Sequence, residues 1–515
     1  MSTFSEQLGD AVIGELTMFD RMVFKGHLTS FFPAGAFQRF LSSEGVLLKG
    51  FGKYVEGATE ALKAHAKKVA ADAGRPYLYL GSAHTAATGQ RKDELAKKFI
   101  EDEHLTEGLV CVLSAVEPCH SFIVKGNAAT QRLEVVRVPR KCLHYYFYYL
   151  DREFGLIHVR LQSWFPFEIQ VWMNGREWLA RTLKSRGVGF ERYDNSLTRI
   201  DDLELAQSLC EKFAHREWPR VLDALATRVN PWLERIRQRG FGSYYWVLDQ
   251  FEIATDVMFK DRPTLEKLAP DLYEHAILEF GSENVMRFLG RKPHALFQGE
   301  LISDLKRRPE GWRIKHRIKA NSIKMYDKWS VLRIETTINN PREFKILKTV
   351  EGKWRWVPMG KGVANMWGYY QAGITANQRY LTALANVQPK GKALDELDDL
   401  CRTRTINGKR CPRLVPVHVQ TVALFTAVLA GENAINGFRN STLVGHLFPA
   451  KATPKEAKRR CAWVSRKIST LRARGLVAKY PNSRRYRVTE KGAIVMGAAI
   501  RMRKNEFPAE FRKAA

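Results

Sequence analysis

Residues Trp312–Asn340 read WRIKHRIKANSIKMYDKWSVLRIETTINN. The first part alternates strictly. Trp312, Ile314, His316 and Ile318 fall on one face of an extended chain, and Arg313, Lys315, Arg317 and Lys319 on the other, the period of two that marks a strand. Two further strand-like runs, Ser322–Lys328 and Val331–Ile338, follow, and the three predict an antiparallel meander. Its inner face is expected to carry Ile314, Ile323, Met325, Leu332 and Ile334. Its outer face is expected to carry Arg313, Lys315, Arg317, Lys324, Tyr326, Arg333 and one acid, Glu335. Such a basic face is a candidate surface for a phosphate backbone.

The chain around it has 515 residues, 45% of them hydrophobic, enough for several cored domains, and a formal net charge of +29. That excess points to a polyanionic partner, either nucleic acid or an anionic membrane. No apolar run approaches the roughly 20 residues of a spanning helix. The start, MSTFSEQLGDAVIGEL, has no basic region leading into an apolar core, so no signal peptide is expected. Seven cysteines without a C-x-x-C fit a cytoplasmic protein with reduced thiols. The charge is uneven: residues 451–515 hold 19 Lys and Arg against 4 Asp and Glu, and residues 301–348 hold 13 against 5. Two separate basic surfaces are therefore expected.

The predicted class is α+β. Residues 1–105 read as a helical N-terminal region, with helices in GATEALKAHAKKVAADAGRP and QRKDELAKKFIEDEH either side of a polar break at Ala83–Gly89. Residues 106–395 read as a central mixed α/β domain with an antiparallel sheet: strand-rich over 108–175, mostly helical over 201–290, then the meander. Residues 396–417 form the best linker candidate. A module at 418–495 and a basic tail at 496–515 complete the chain.

In that module, helices in VQTVALFTAVLAGE and STLVGHLF precede a long basic one, TPKEAKRRCAWVSRKISTLRARG, with Thr453 as N-cap and Pro454 in its first turn. LVAKY and RRYRVT then pair across Pro481–Asn482–Ser483, and TEKG closes the unit. A basic helix, Arg-Gly-Leu-Val, a hairpin and Val-Thr-x-x-Gly together resemble the winged helix-turn-helix family. The resemblance implies that the third helix enters the major groove while the wing touches the backbone. It places Arg466, Lys467, Arg472 and Arg474 on or near the recognition helix and Arg484, Arg485 and Arg487 in the wing. Arg439 and Asn440 fall where the second helix begins. A protein-interaction or RNA-backbone module is the other use of such a domain.

WFPFEIQVWMNGREWLARTL is the second dense cluster. Trp164, Phe165, Phe167, Trp172 and Trp178 among Gln170, Asn174, Arg176 and Arg181 suit base stacking and edge readout, or else an aromatic core. Asn174 and Arg176, at a strand-to-helix junction, are the better phosphate candidates. Acids that could hold Mg²⁺ are Asp304 and Glu335 in or near the meander, with Glu310, and Asp249, Glu252 and Asp256 at helical spacing; Asp194–Asn195 follows the aromatic cluster. Cys119–His120, Cys142–His144 and His158 lack zinc spacing, so no metal site is assigned. There is no P-loop and no G-x-G-x-x-G.

The string KMYDK…VLRIETTIN resembles replication initiators of small plasmids and phages, in which a Tyr-Asp-Lys strand lies beside an Arg-x-Glu strand. The matching positions are Tyr326, Asp327, Lys328, Arg333 and Glu335. The His-hydrophobe-His metal motif of the common rolling-circle nickases is missing, and no tyrosine of the pairs at 145–149, 244–245 or 369–370 has a metal partner. The whole chain is also similar to a bacterial family to which no activity is attached. The expectation is a nucleic-acid-binding protein of a mobile element, replication or ribonucleoprotein system. Its centre would hold single-stranded DNA or structured RNA, and its winged helix duplex. The alternatives are a metal-dependent nickase or nuclease using Asp304 and Glu335, and a transcription regulator.

Overall fold

The computed structural model describes residues 2–33, 35–81, 88–291, 301–308, 311–385, 399–406, 409–481 and 483–506. The chain forms two compact units. One comprises Met1–Leu16, Ala254–Thr336 and Ala372–Ala515, the other Thr17–Ile253 and Thr337–Gln371. Strands β1 (Val12–His27), β2 (Tyr77–Tyr79), β3 (Gly108–Asn127), β4 (Arg132–Asp151), β5 (Gly155–Gln162) and β6 (Ile169–Asn174) are followed by a short hairpin, β7 (Phe190–Tyr193) and β8 (Ser196–Ile200). β9 (Tyr245–Phe259), β10 (Leu301–Arg308), β11 (Gly311–Ile318), β12 (Asn321–Lys328), β13 (Val331–Ile338), β14 (Lys345–Val350) and β15 (Lys353–Pro358) come next. With the helices, this is an α+β protein.

In the second unit the strand order is β1-β6-β5-β4-β3-β2, antiparallel throughout except for the short parallel β2–β3 pairing. The helix Thr88–Asp102 lays Leu95, Ala96, Phe99 and Ile100 on Val110, Leu113, Tyr146 and Tyr148. A second core is aromatic, with Phe31, Phe37, Phe40, Phe165 and Phe241 in mutual ring contact. Two expectations of helix fail here. Residues 1–105 contain β1, and residues 201–290 contain β9. Both strands are buried on their two faces along much of their length, so no polar alternation was there to read.

In the first unit the order β10-β11-β12-β13-β9 contains the expected meander, preceded by a strand not foreseen, β10. The register pairs Ile314 with Met325 and Lys315 with Lys324, so the two faces divide as expected on β11 and β12. The inner face packs on the helix Met366–Leu384 and on Phe280. His316 lies among them, its ring nitrogens 2.8 Å from Ser303 Oγ and 3.1 Å from Tyr380 Oη. Burial pushes its pKa down to about 4. Trp312, on the same alternating face as Ile314, is exposed at the strand's start. β13 is buried at every position, which removes the outer face there.

The C-terminal module runs in the order helix Val419–Leu429, helix Gly431–Asn436, a single bridge at Phe438, helix Asn440–Leu447, helix Pro454–Ala473, and a hairpin of Val477–Lys479 with Tyr486–Val488. Helix Glu490–Arg501 follows. Leu424, Phe425, Leu443, Val464, Ile468, Leu471, Leu476 and Met496 share its core. Phe438 exchanges both backbone hydrogen bonds with Tyr486, each 2.8 Å. Thr489 caps the last helix and also donates to the Gly475 carbonyl. A Cβ on Gly492 would stand 1.9 Å from the Leu476 carbonyl oxygen, so only glycine fits that crossing. The linker expectation needs correcting over its described part. Arg404–Ile406 pairs with Lys409–Cys411, and Leu400 and Leu414 join the module's core. Ala83–Ala87, Glu310, Asn482 and the tail 507–515 lie outside the described residues. No helix among those described is long and apolar enough to cross a membrane.

Candidate nucleic-acid interface

The helix Pro454–Ala473 starts on Thr453, whose hydroxyl accepts from the Glu456 amide while the Glu456 carboxylate accepts from the Thr453 amide. Val464, Ile468 and Leu471 turn inward. On the other side, Lys455, Lys458, Arg459, Ser465, Arg466, Ser469 and Arg472 are exposed at helical spacing. Cations are thus interleaved with small residues along this side of the helix. Asn440 reaches from the preceding helix to the Cys461 carbonyl at 3.0 Å and Ser465 Oγ at 2.8 Å, fixing the angle between the two helices.

The residues expected to bind in this module divide. Arg439, Arg466, Arg472, Arg484 and Arg487 are exposed, and Arg485 is half-buried. Lys467 lies half-buried over the Trp463 ring at 5.3 Å. Asn440 is committed to the helix contact just described. Arg474 is buried and donates to the carbonyls of Asp399, Arg402 and Pro412, so it is an internal brace.

The meander divides in the same way. Lys306, Arg307, Arg308, Arg317 and Lys319 are exposed on β10, β11 and the turn after it, with Arg313 and Lys315 half-buried. Burial pushes the Lys315 pKa down, and the charges of Lys324, Arg313 and Arg317 push it the same way, against Asp304 alone. Cations crowded like this gain from an anion laid across them. The far side of the expected surface is interior. Arg333 has no exposed surface and grips Asp256 through two bonds of 2.7 and 3.0 Å. Glu335 takes a hydrogen bond from Tyr326 Oη at 2.7 Å and pairs with Lys324. Burial pushes the Glu335 carboxyl up, but Lys324, Tyr326 and Arg333 outweigh it and hold the group below its usual range. Asp327 is bound by the Tyr273 hydroxyl, and Lys328 is buried. The Tyr-Asp-Lys and Arg-x-Glu strands are neighbours, yet most of their polar groups close on the protein itself.

Asn174 caps the helix Gly175–Ser185, accepting from the amides of Arg176 and Glu177 and donating to Asp20 Oδ1 at 2.9 Å. Arg176 is buried, with its Nε 3.2 Å from Asp20. Arg181 pairs with Glu177 at 3.0 Å. The helix start that was expected to meet phosphate is therefore occupied by its own cap. Phe165, Phe167 and Trp178 are buried, and Trp172 stacks on His158 at 5.7 Å, which makes this cluster mostly core.

Among the described residues, the candidate Mg²⁺ ligands are not brought together. Asp304 and Glu335 sit on β10 and β13 with β11 and β12 between them. Three strand spacings put them about 14 Å apart, too far to share one ion. Asp249, Glu252 and Asp256 lie on a strand rather than a helix, and each faces a protein group: Gln170, Thr337 and Arg333 respectively. A different set does converge. The Cys119 and Cys142 sulfurs are 3.2 Å apart and, with His144, place three ligand atoms within 4.8 Å of one another. The hydrogen bond from Cys142 draws the Cys119 thiol down to about 7. Burial, then Arg160, pushes His144 down to about 3. Two thiols and an imidazole are donors suited to Zn²⁺ rather than Mg²⁺, but a closed tetrahedral site needs a fourth.

Sequence reasoning missed the most exposed aromatics among the described residues. Trp354 and Trp356 on β15 are 71% and 66% exposed. The alternation KWRWV, flanked by Lys and Arg, was the available signal.

No known protein family matches this chain, and no curated protein does. Among solved structures it is similar to the di-domain ARO/CYC BexL from the BE-7585A biosynthetic pathway, at 10% identity and a TM-score of 0.16. The match covers 53% of this chain and 97% of that one. At that score the likeness says nothing about this chain's fold or activity.

Proposed function

We propose that this chain binds nucleic acid, using the C-terminal module as a winged helix on duplex and the β10–β11 edge of the meander as a second phosphate contact. The observation that carries the reading is the helix Pro454–Ala473, with its exposed stripe of Lys455, Lys458, Arg459, Arg466 and Arg472 over small residues. The order of helices and hairpin, the Phe438–Tyr486 bridge and the exposed Arg484 and Arg487 support docking of that helix in a major groove with the hairpin on the backbone. The dispersed acids give no support to a metal-dependent cut.

The test is duplex binding by the full chain across a salt series. Arg466→Ala/Arg472→Ala and Arg484→Ala/Arg487→Ala should each weaken binding and reduce the slope of log K against log salt by about one for every phosphate no longer neutralised. Lys306→Ala/Arg317→Ala/Lys319→Ala should do the same for the meander. Unchanged slopes in all three variants would refute the reading.

A further inference from the structure

β14 and β15 form a two-stranded hairpin of their own, closed by Glu351–Gly352 with φ of +51° and +73°. Positive φ at both turn residues is the tight type I′ geometry that matches strand twist and stiffens a hairpin. Its root is buried: Phe344 and Met359 are core residues, and the Met359 amide donates to the Phe344 carbonyl at 2.9 Å. Its arm is not. The register pairs Leu347 with Trp356 and Thr349 with Trp354, so Leu347, Trp354 and Trp356 share one face, and all three are exposed. Lys348, Lys353 and Arg355 lie on the opposite face and Lys345 at the root, against a single acid, Glu351.

Two tryptophans left in solvent on a rigid arm need an explanation, because each forfeits a large apolar burial. Their spacing offers one. Residues two apart on a strand are about 7 Å apart, roughly twice the thickness of an aromatic ring, so a flat base fits between the two indoles with a face against each. Lys345 on the same face can meet an adjoining phosphate, and Lys348, Lys353 and Arg355 make the whole arm attractive to a polyanion. Paired bases are stacked on one another and cannot enter such a slot; unpaired ones can.

We propose that the β14–β15 hairpin is a binding site for an unpaired nucleic-acid strand, with Trp354 and Trp356 stacking on its bases, Lys345 on the same face contacting its phosphates, and Lys348, Lys353 and Arg355 adding attraction from the other face of the arm. This rests on the nucleic-acid reading above and adds to it a second, single-stranded ligand at a site separate from the C-terminal module. The hairpin is exposed and its root is unaltered, so Trp354→Ala/Trp356→Ala should melt with the parent protein.

The experiment uses the full chain with labelled oligothymidylate, oligouridylate and a duplex of mixed sequence. In the parent, one or both single strands should bind and quench tryptophan fluorescence. Trp354→Ala/Trp356→Ala should weaken that binding about tenfold or more and remove part of the quench. Trp354→Phe/Trp356→Phe should restore most of the affinity, and duplex binding should stay unchanged. Equal single-strand affinity in the parent and the alanine variant overturns the proposal. So does an effect of the alanine variant confined to self-association or to binding of anionic phosphatidylserine vesicles, since the face would then belong to a second copy or a membrane. If duplex binding depends on Arg466 and Arg472 while single strands never bind, this inference fails and the winged-helix reading stands. If neither ligand binds, both fail.

Discussion

Asp256→Asn should be among the most damaging single substitutions in this chain. The Arg333 guanidinium is held by two parallel bonds of 2.7 and 3.0 Å to the Asp256 carboxylate, and neither side chain is more than 1% exposed. Tyr326 Oη, 3.5 Å from the guanidinium, is neutral, and Glu335 is already engaged by Lys324 and Tyr326. With Asn at 256 the geometry survives, but the buried guanidinium loses the carboxylate that grips it through two bonds. Removing one member of such a pair costs about 3–5 kcal/mol, which for a unit of this size lowers Tm by on the order of 10 °C. Arg333→Met should cost a similar amount. Asp256→Leu/Arg333→Met, which removes both charges and keeps volume, should recover most of the loss. Scanning calorimetry of these proteins, with Asp256→Leu as the matching single variant, measures the cycle. The reasoning is refuted if Asp256→Asn melts within about 1 °C of the parent, or if the double variant is as unstable as the two singles together.

Three further outcomes follow from the same structure. Gly492→Ala forces a Cβ against the Leu476 carbonyl and should unfold the C-terminal module at 37 °C. Gly475→Ala, at φ +73° with open space around it, should cost only about 1 kcal/mol; chemical denaturation of both variants checks the contrast. His446 is bonded to Glu432, and that bond raises its pKa, with Glu283 adding to the pull and Arg287 opposing it. Its stabilisation is therefore complete below the ordinary histidine value of about 6.5 and is lost as pH rises through the raised folded value. The Tm gap between parent and His446→Gln should accordingly be widest near pH 6 and shrink as pH rises past the raised folded value; a gap independent of pH would mean that the pair carries no charge. The salt-slope series for Arg466, Arg472, Arg484 and Arg487 completes the set.

What could be read from the sequence was local. The alternation of β11 and the Thr453–Pro454 start of the long basic helix each lie within a few residues, and both gave the right element. What could not be read was closed by partners far along the chain. Arg333 meets an acid 77 positions away and Arg176 one 156 positions away, so both looked like surface cations until the fold supplied the carboxylate. β1 and β9 were missed because interior strands lose the polar face that announces a strand. Trp354 and Trp356 had the opposite history. Their alternation was plain, but exposure of a tryptophan is set by what does not pack on it, and no local pattern encodes that.

Arg474 has a consequence for how this protein could be cut and reused. Its guanidinium holds the carbonyls of Asp399, Arg402 and Pro412, and Leu400 and Leu414 are built into the same core as the helix Pro454–Ala473. A fragment beginning at Val419 would strand a buried cation and open two leucine-sized holes. The natural seam for grafting the module onto another protein, or for trading it between lineages by recombination, therefore lies ahead of Asp399.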